Sequence, residues 1–473
     1  MIRDLALRVA VPPAGVEGFV EARIDQAIAR ERLEARDAAL LRSIVCGAVR
    51  HRGSLDSVLR AYTRNGTLPD DRRVLESLRQ AAFQLLFLDR VPDHAVVHET
   101  VALVRKFRAP VAGFANAVLR AVARESRVEP ALDEGAGFGR AVMAPLSADD
   151  RFRMSRPDGA RVVFERAVFP DPTAEPIAWM SRAFSLPEWL VARWLDRFGE
   201  ERSRELFRVV SRPARVTLRV RGASGSGEGP SSFRDERDAV VERFRAAGIE
   251  CEAGSRDDSL RLASPGAIDR LPGFAEGRLA VQGEAAMGVV GLVDVHPGHR
   301  VLDVASAPGG KSVALADAGA ARVVSIDVSR RRVSTLARNV RRYRVAAVAP
   351  IVADGRVLPF RLGETFDRVL VDAPCSNTGV LAKRVEARWR IGDRTLRSLV
   401  ELQAALLEAA AKRVSPGGRI VYSTCSLEPE ENEVLAASVL PELGFRLHDE
   451  RTWVPGERQD DGGYASSWIR DDG

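Results

Sequence analysis

The sequence predicts a multidomain fold: an all-α N-terminal domain, a small α+β middle domain and a C-terminal α/β domain with a doubly wound parallel sheet. Three observations carry this. Residues 20–125 show helical periodicity with no β-like alternation. From about residue 280, short β-rich runs alternate with helical stretches. A chain of 473 residues is too long for one core, so two to three domains are expected.

In chain order, "RDAALLRSIVCGAVRHRGSLDSVL" places Leu40, Leu41, Ile44, Val45 and Val49 on one helical face. "RRVLESLRQAAFQLLFL" repeats the pattern with Val74, Leu75, Leu78, Ala82, Leu85 and Leu86. "HAVVHETVALVRKF" and "VAGFANAVLRAVARE" are two further helices, punctuated by Pro92 and Pro110. These define a domain over 1–127. Residues 128–176 have weak periodicity and read as a linker. A small α+β domain fits 177–275: the helix "SLPEWLVARWLDRFG", the strand "RVTLRV", a flexible loop over 221–236, the helix "AVVERFRAAGIECEA" and the strand "SLRLAS". Residues 276–473 then hold five strand-like runs, "RVLDVAS", "RVVSIDV", "APIVAD", "DRVLVDA" and "RIVYSTC". Helices such as "SRRRVSTLARNVRRY" and "TLRSLVELQAALLEAAAKRV" separate most of them. Ligands of such sheets bind at the carboxyl ends of the strands.

Composition bounds the partners. The 45 % hydrophobic content is that of an ordinary globular protein. No apolar run reaches the ~20 residues that span a bilayer, and the N-terminus lacks the apolar core of a signal peptide. A cytoplasmic location is expected, without membrane association. Residues 1–127 hold 21 of the 71 basic and 15 of the 65 acidic residues, a surplus that equals the net +6 of the whole chain. A basic helical domain fits nucleic-acid binding, and a mixed-charge solvated surface looks similar. Cys46, Cys251, Cys375 and Cys425 lie far apart with no CxxC spacing, so neither a disulfide framework nor a metal site is expected.

The chemistry concentrates at the strand ends. "VLDVASAPGGKSVAL" runs from a strand through Pro308-Gly309-Gly310 into a helix. Its glycines allow close backbone approach, and the helix N-terminal amides can hold an anion. It is neither GxGxxG nor a P-loop, and alone it also fits a tight strand-to-helix turn. Asp327 ends the next strand, where it is placed to accept from ribose hydroxyls. Asp354 ends a third and is placed to receive an adenine amino group. Each aspartate alone also fits a helix N-cap; three such features in order favour a nucleoside ligand. "VLVDAPCSNTGV" carries Asp372, Pro374 and Cys375, and "VYSTCSLEPEEN" places Cys425 at the exit of a later strand. Each cysteine is either a buried small hydrophobe or a reactive thiol. As a pair beside a carboxylate, they are sufficient for methylation of cytosine at C5, an unactivated carbon that needs covalent thiolate addition at C6 first.

"DVASAPGGKS", "DAPCSNTGV" and "YSTCSLEPEEN" together resemble the signature motifs of the RsmB-like (Sun/Fmu) RNA 5-methylcytosine methyltransferases. "AVQGEAAMGVV" and "LPEWLVARWLDRFG" are also similar to segments of that family. The N-terminal helices, with "RDAALLRSIVCGAVR", "AAFQLLFLDRVPDHAVVHE" and "GFANAVLRAVAR", are similar to its NusB-like RNA-binding domain. The likeness covers most of the chain outside 128–176 and 221–236.

The resemblance implies a Rossmann-like catalytic domain that uses S-adenosylmethionine. It implies Cys425 as nucleophile, Cys375 as the group assisting product release, and Asp372 reaching the base edge. Ala305, Ser306, Ala307, Pro308, Gly309, Gly310, Lys311, Asp327, Asp354 and Asp372 would form the cofactor site. The implied partner is RNA, with small-subunit ribosomal RNA the leading substrate, for a monomeric enzyme without a metal. The alternatives are transfer RNA or another RNA, or a non-catalytic RNA-binding factor in ribosome assembly or antitermination. This sequence departs from the family at Asn377, where glycine is usual, at Ser306, where alanine is usual, and in lacking two phenylalanines near its C-terminus.

Overall fold

A helix with one apolar stripe must bury that stripe against another element. In the computed structural model, which describes residues 2–13, 18–130, 146–222, 233–262, 266–456 and 461–471, the N-terminal helices do so against one another. They are α1 (Ile2–Ala10), α2 (Val20–Glu31), α3 (Ala35–Arg50), α4 (Arg52–Ala61), α5 (Arg72–Phe87), α6 (Asp93–Arg108) and α7 (Ala112–Arg124). Leu41, Ile44 and Val45 of α3 and Leu78, Ala82 and Leu86 of α5 are buried. The two helices approach closely at Gly47, where a Cβ would meet the Phe83 ring at 2.1 Å. Asp71 starts α5 by accepting from the amides of Arg73 and Val74.

Part of the segment that reads as a linker is regular. β1 (Ser126–Glu129), β2 (Arg153–Ser155) and β3 (Arg161–Phe164) form an antiparallel sheet in the order β1-β3-β2. Strands of three and four residues are too short to show periodicity in a sequence. The rest of that segment, 131–145, lies outside the described residues. α8 (Pro176–Ala183) and α9 (Glu188–Ser211) follow, α9 kinked at Gly199, whose φ is 74°.

The chain forms two compact units, residues 1–213 with 381–389, and 214–380 with 390–473. The first includes α8 and α9, because Ser54 Oγ donates to the Arg182 carbonyl at 2.7 Å and the Gly53 amide to Ser185 Oγ at 2.8 Å. It also includes a nine-residue stretch from far along the chain. Arg388, fully buried, donates to the carbonyls of Arg50, Ser185, Val210 and Leu381. Burial, with Arg50 nearby, pulls the Arg388 guanidinium down to about 9. The Trp389 indole donates to the Val49 carbonyl at 2.9 Å.

The second unit begins with an antiparallel sheet in the order β5-β6-β4-β7, from β4 (Val216–Val220), β5 (Glu252–Ala253), β6 (Ser259–Leu262) and β7 (Leu279–Val281), with α10 (Phe233–Ala246) packed on it. Of the loop expected over 221–236, residues 223–232 lie outside the described residues. After α11 (Glu284–Val293) the strand–helix alternation sets in: β8 (Arg300–Val304), α12 (Gly310–Asp317), β9 (Arg322–Asp327), α13 (Arg330–Tyr343), β10 (Val348–Val352) and β11 (Phe366–Asp372), then, past the short α14 (Ala387–Arg390) whose first three residues belong to the first unit, α15 (Asp393–Ala411), β12 (Val414–Thr424), α16 (Glu433–Val439), β13 (Phe445–Trp453) and β14 (Gly463–Arg470).

The sheet order is β10-β9-β8-β11-β12-β14-β13. β8 to β12 are the five strand-like runs of the sequence, paired in parallel. β13 and β14 extend the sheet as an antiparallel pair. The chain leaves β8 toward β9 on one side and returns at β11 on the other. β8 and β11 therefore flank the switch point where such folds bind ligands. Leu302, Val304, Val369, Val371, Ile420 and Tyr422 fill the core beneath that edge. No helix among the described residues is long and apolar enough to cross a membrane.

Candidate active site at the carboxyl ends of the strands

β8 ends at Val304, and Ala305 turns the chain with φ 59°. Ser306 anchors the turn: its amide and hydroxyl both donate to the Ile326 carbonyl of β9, at 2.9 and 3.1 Å. Ala307 and Pro308 lead to Gly309, whose amide closes the turn on the Ser306 carbonyl at 2.8 Å. Glycine is required at 309: φ is 97°, and a Cβ there would lie 2.8 Å from Leu336. At Gly310 a Cβ would meet nothing within 4 Å, so the backbone at the start of α12 borders open space.

Lys311 and Ser312 tie this turn to neighbouring strands. Lys311 Nζ donates to Asp372 Oδ2 at 2.7 Å, and Ser423 Oγ donates to Asp372 Oδ1 at 3.0 Å. Burial opposes the Lys311 cation, but Asp372 outweighs it and holds the ammonium above its usual range. Ser312 Oγ donates to Asp303 Oδ2 at 2.6 Å. Asp303 is fully buried, its Oδ1 has no partner among the described residues, and burial pushes its carboxyl up to about 7.

Asp327 and Asp354 stand at the ends of β9 and just past β10. Asp327 is only 2 % exposed. It accepts from the amides of Ser329 at 2.9 Å and Ala307 at 3.3 Å, and Arg332 lies 3.1 Å away. Asp354 is gripped by Arg356 at 2.7 Å, which lowers its carboxyl below the usual range. Both arginines are about half exposed, so each pair can open to a ligand without unpacking the core.

β11 and β12 are adjacent, with Asp372 opposite Ser423. Their exits therefore bring Cys375 and Cys425 together, Sγ to Sγ 3.0 Å. The contact with Cys425, and then burial, hold the Cys375 thiol well above its usual range. Asn377 bridges the two loops. Its Nδ2 donates to the Cys375 carbonyl at 2.7 Å, which turns Oδ1 toward the Cys425 thiol, 3.4 Å away. Its φ is 65°, a conformation that asparagine tolerates better than most residues.

The strand ends thus carry a glycine-containing turn, two carboxylates with half-exposed arginine partners and a thiol pair. Residues 290–459 match the family described as 16S rRNA methyltransferase RsmB/F, and residues 4–124 match the NusB family. The chain joins a NusB-family region to an RsmB/F-family methyltransferase domain.

Among its relatives, the chain is 26 % identical over 450 residues to the probable ribosomal RNA small subunit methyltransferase B of Bacillus subtilis, covering 93 % of this chain and 88 % of that one. To the ribosomal RNA small subunit methyltransferase B of Klebsiella pneumoniae it is 28 % identical over 453 residues, covering 93 % and 92 %. The crystal structure of PH0851 shares the fold over 99 % of this chain and 97 % of its own, with a TM-score of 0.71 and 23 % identity. NSun6 from Pyrococcus horikoshii, solved with SFG, matches at a TM-score of 0.51 and 18 % identity, over 60 % of this chain and 98 % of its own.

The RsmB/F-family domain is S-adenosylmethionine-dependent, and the residues present fit that cofactor. The open space beside Gly310, at the N-terminus of α12, suits its carboxylate. The carboxylates of Asp327 and Asp354, with their movable arginine partners, suit hydroxyl and amino donors.

Sequence reasoning missed the residue that fixes the thiol loops. Glu431, fully buried, accepts from the Ser376 amide at 2.8 Å and Gln403 Nε2 at 2.9 Å through Oε1, and from the Ser376 hydroxyl through Oε2. Ser426 Oγ contacts Ser376 Oγ at 3.0 Å and Thr378 Oγ1 at 3.1 Å. The signal was present: Glu431 lies in the acidic turn directly after Cys425.

Proposed function

We propose that this protein methylates C5 of a cytosine in small-subunit ribosomal RNA, through a covalent bond between Cys425 and the base. The observation that carries the reading is the 3.0 Å approach of the two sulfurs at adjacent strand exits. The substrate class rests on what the relatives' names say they act on.

The cofactor, when bound, supplies an electrophilic methyl group. Cys425 acts first. Its sulfur, as thiolate, adds to C6 of the ring, and the electron pair of the C5–C6 bond moves onto C5, which then takes the methyl group. The pair is asymmetric in the way this needs. Cys375 holds its proton tightly and can donate its S–H to Cys425, leaving Cys425 as the sulfur free to attack. Release requires loss of the C5 proton while the Cys425–C6 bond breaks, its electrons returning to sulfur. Once Cys425 is bonded to C6, the contact that held the Cys375 proton is gone; that proton leaves to solvent, and the Cys375 thiolate then takes the C5 proton. One proton leaves per turnover. Lys311 and Ser423 fix the Asp372 carboxylate at the neighbouring strand end, where it is placed to accept from an amino group on the base edge.

Incubation with methyl-labelled S-adenosylmethionine and an unmodified transcript of small-subunit ribosomal RNA, followed by bisulfite sequencing, tests this. One protected cytosine is expected. Label at another atom, or label only in transfer RNA, would overturn the assignment.

A further inference from the structure

Between Val328 and Ala353 the chain holds seven arginines and no acidic residue. Six of them lie on α13. Residues 128–473 as a whole are charge-balanced, so this is a local concentration within a neutral region. Arg332 is held by Asp327 and the Ala307 carbonyl, and Arg342 stacks between Phe274 and Tyr343. The other five, Arg330, Arg331, Arg338, Arg341 and Arg344, are exposed and have no acidic partner among the described residues.

Their placement is not that of an ordinary solvated helix face. Successive helical residues turn by about 100°, so Arg330, Arg331, Arg338 and Arg341 fall within about 100° of the helix surface and run about 17 Å along it, and Arg344 follows just past the helix end. The opposite side carries the buried Val333, Leu336 and Tyr343. Cations at the helix C-terminus are favoured by the macrodipole, which accounts for Arg341 and Arg344. Arg330 and Arg331 sit in the first turn, where the dipole opposes them and acidic residues are preferred. A first turn with no acid and two unpaired arginines breaks a local stability rule without a compensating interaction in the protein, which points to a partner outside it. That turn lies next to Asp327, at the carboxyl end of β9, so the stripe starts at the reaction end of the sheet.

We propose that the exposed arginine stripe of α13 binds the phosphate backbone of the RNA substrate. Planar guanidinium groups suit phosphate oxygens. The stripe gives the catalytic domain its own RNA-binding surface, separate from the basic surplus of residues 1–127. This rests on the reading that the substrate is RNA.

The test compares the full-length protein with a variant carrying Arg330→Gln, Arg331→Gln, Arg338→Gln and Arg341→Gln. Arg332 is kept because it touches Asp327. Affinity for an unmodified transcript of small-subunit ribosomal RNA is measured over a range of salt concentrations, together with Tm and S-adenosylmethionine affinity. The variant is expected to bind RNA at least tenfold more weakly at low salt. Its log–log salt slope should be shallower by about 0.7–0.9 for each phosphate that the variant no longer neutralises. S-adenosylmethionine affinity should be unchanged. Tm should be nearly unchanged, because relief of the first-turn conflict at Arg330 and Arg331 offsets loss of the favourable C-terminal charge of Arg341, and an unchanged Tm separates a fall in binding from a loss of fold. Equal affinity and slope in the two proteins would overturn this proposal and leave the RNA reading standing. A wild-type protein with no salt-dependent RNA binding would overturn both.

Discussion

The two halves of the strand-end site are built on opposite plans. At the exits of β11 and β12, polar groups are buried and paired with one another. Glu431 holds Ser376 and Gln403, Thr424 Oγ1 meets Asn432 Oδ1 at 2.5 Å, and the Leu427 amide donates to Thr378 Oγ1 at 2.8 Å. At the ends of β9 and β10, Asp327 and Asp354 are paired with half-exposed arginines. A half-exposed arginine contributes little to stability and can leave its partner, whereas a buried carboxylate keeps its internal donors because leaving it bare is costly; buried Asp327 thus keeps the amides of Ala307 and Ser329 while Arg332 can exchange. The comparison teaches that the thiol half is fixed by buried partners on every side, and that the half proposed to hold the cofactor has arginines free to exchange.

The sharpest way to break this contrast is Glu431→Ala. It would leave the Ser376 amide and one N–H of Gln403 Nε2 without their buried acceptor and lower stability by about 3 kcal/mol. Urea denaturation should show this, with activity lost in parallel. A change under about 0.5 kcal/mol would mean the thiol loops are not held by this carboxylate.

Asp303 probes the region between the halves. Its carboxyl is raised to about 7 by burial, above its value in the unfolded chain, so the folded state binds the extra proton. Its contribution is fully present below about pH 4 and is lost as pH rises through about 7. Wild type should therefore lose about 4 kcal/mol across that window relative to Asp303→Asn, whose profile lacks this slope. Parallel profiles for the two proteins would show that Asp303 is already ionised at low pH.

In the exchangeable half, Asp327→Ala should weaken S-adenosylmethionine binding about tenfold, or about 1.4 kcal/mol, by calorimetry. Its effect on denaturation should be much smaller than that of Glu431→Ala. Unchanged binding would remove Asp327 from the cofactor site.

The smallest effect is expected at Asn377. Glycine accepts φ 65° without strain and alanine does not, so Asn377→Ala should be about 1 kcal/mol less stable than Asn377→Gly. Equal stabilities would mean the loop relaxes around either residue.

The five parallel strands and the two thiols at neighbouring exits were legible because strand runs and motif residues are local signals. What stayed hidden depended on distant contacts or on exposure. β13 is an edge strand with mostly exposed residues, so it lacks the apolar run that marked its neighbours. Glu431 reads as one more surface acid in an acidic turn, and its burial is set by Ser376, 55 positions earlier in the chain. Arg388, within "LAKRVEARW", looks like part of a solvated stretch. Its burial depends on carbonyls from Arg50, Ser185 and Val210, which sequence spacing does not bring together.

The central claim is that the two sulfurs have different roles. Mixing Cys375→Ala with labelled RNA and S-adenosylmethionine and running a denaturing gel tests it directly, with Cys425→Ala alongside. The account predicts a protein–RNA band that survives denaturation for Cys375→Ala, because attack proceeds and release stalls. It predicts none for Cys425→Ala, because the bond never forms. A covalent band from Cys425→Ala and none from Cys375→Ala would reverse the roles. Normal turnover by both variants would contradict the account, leaving the thiols as two small buried side chains.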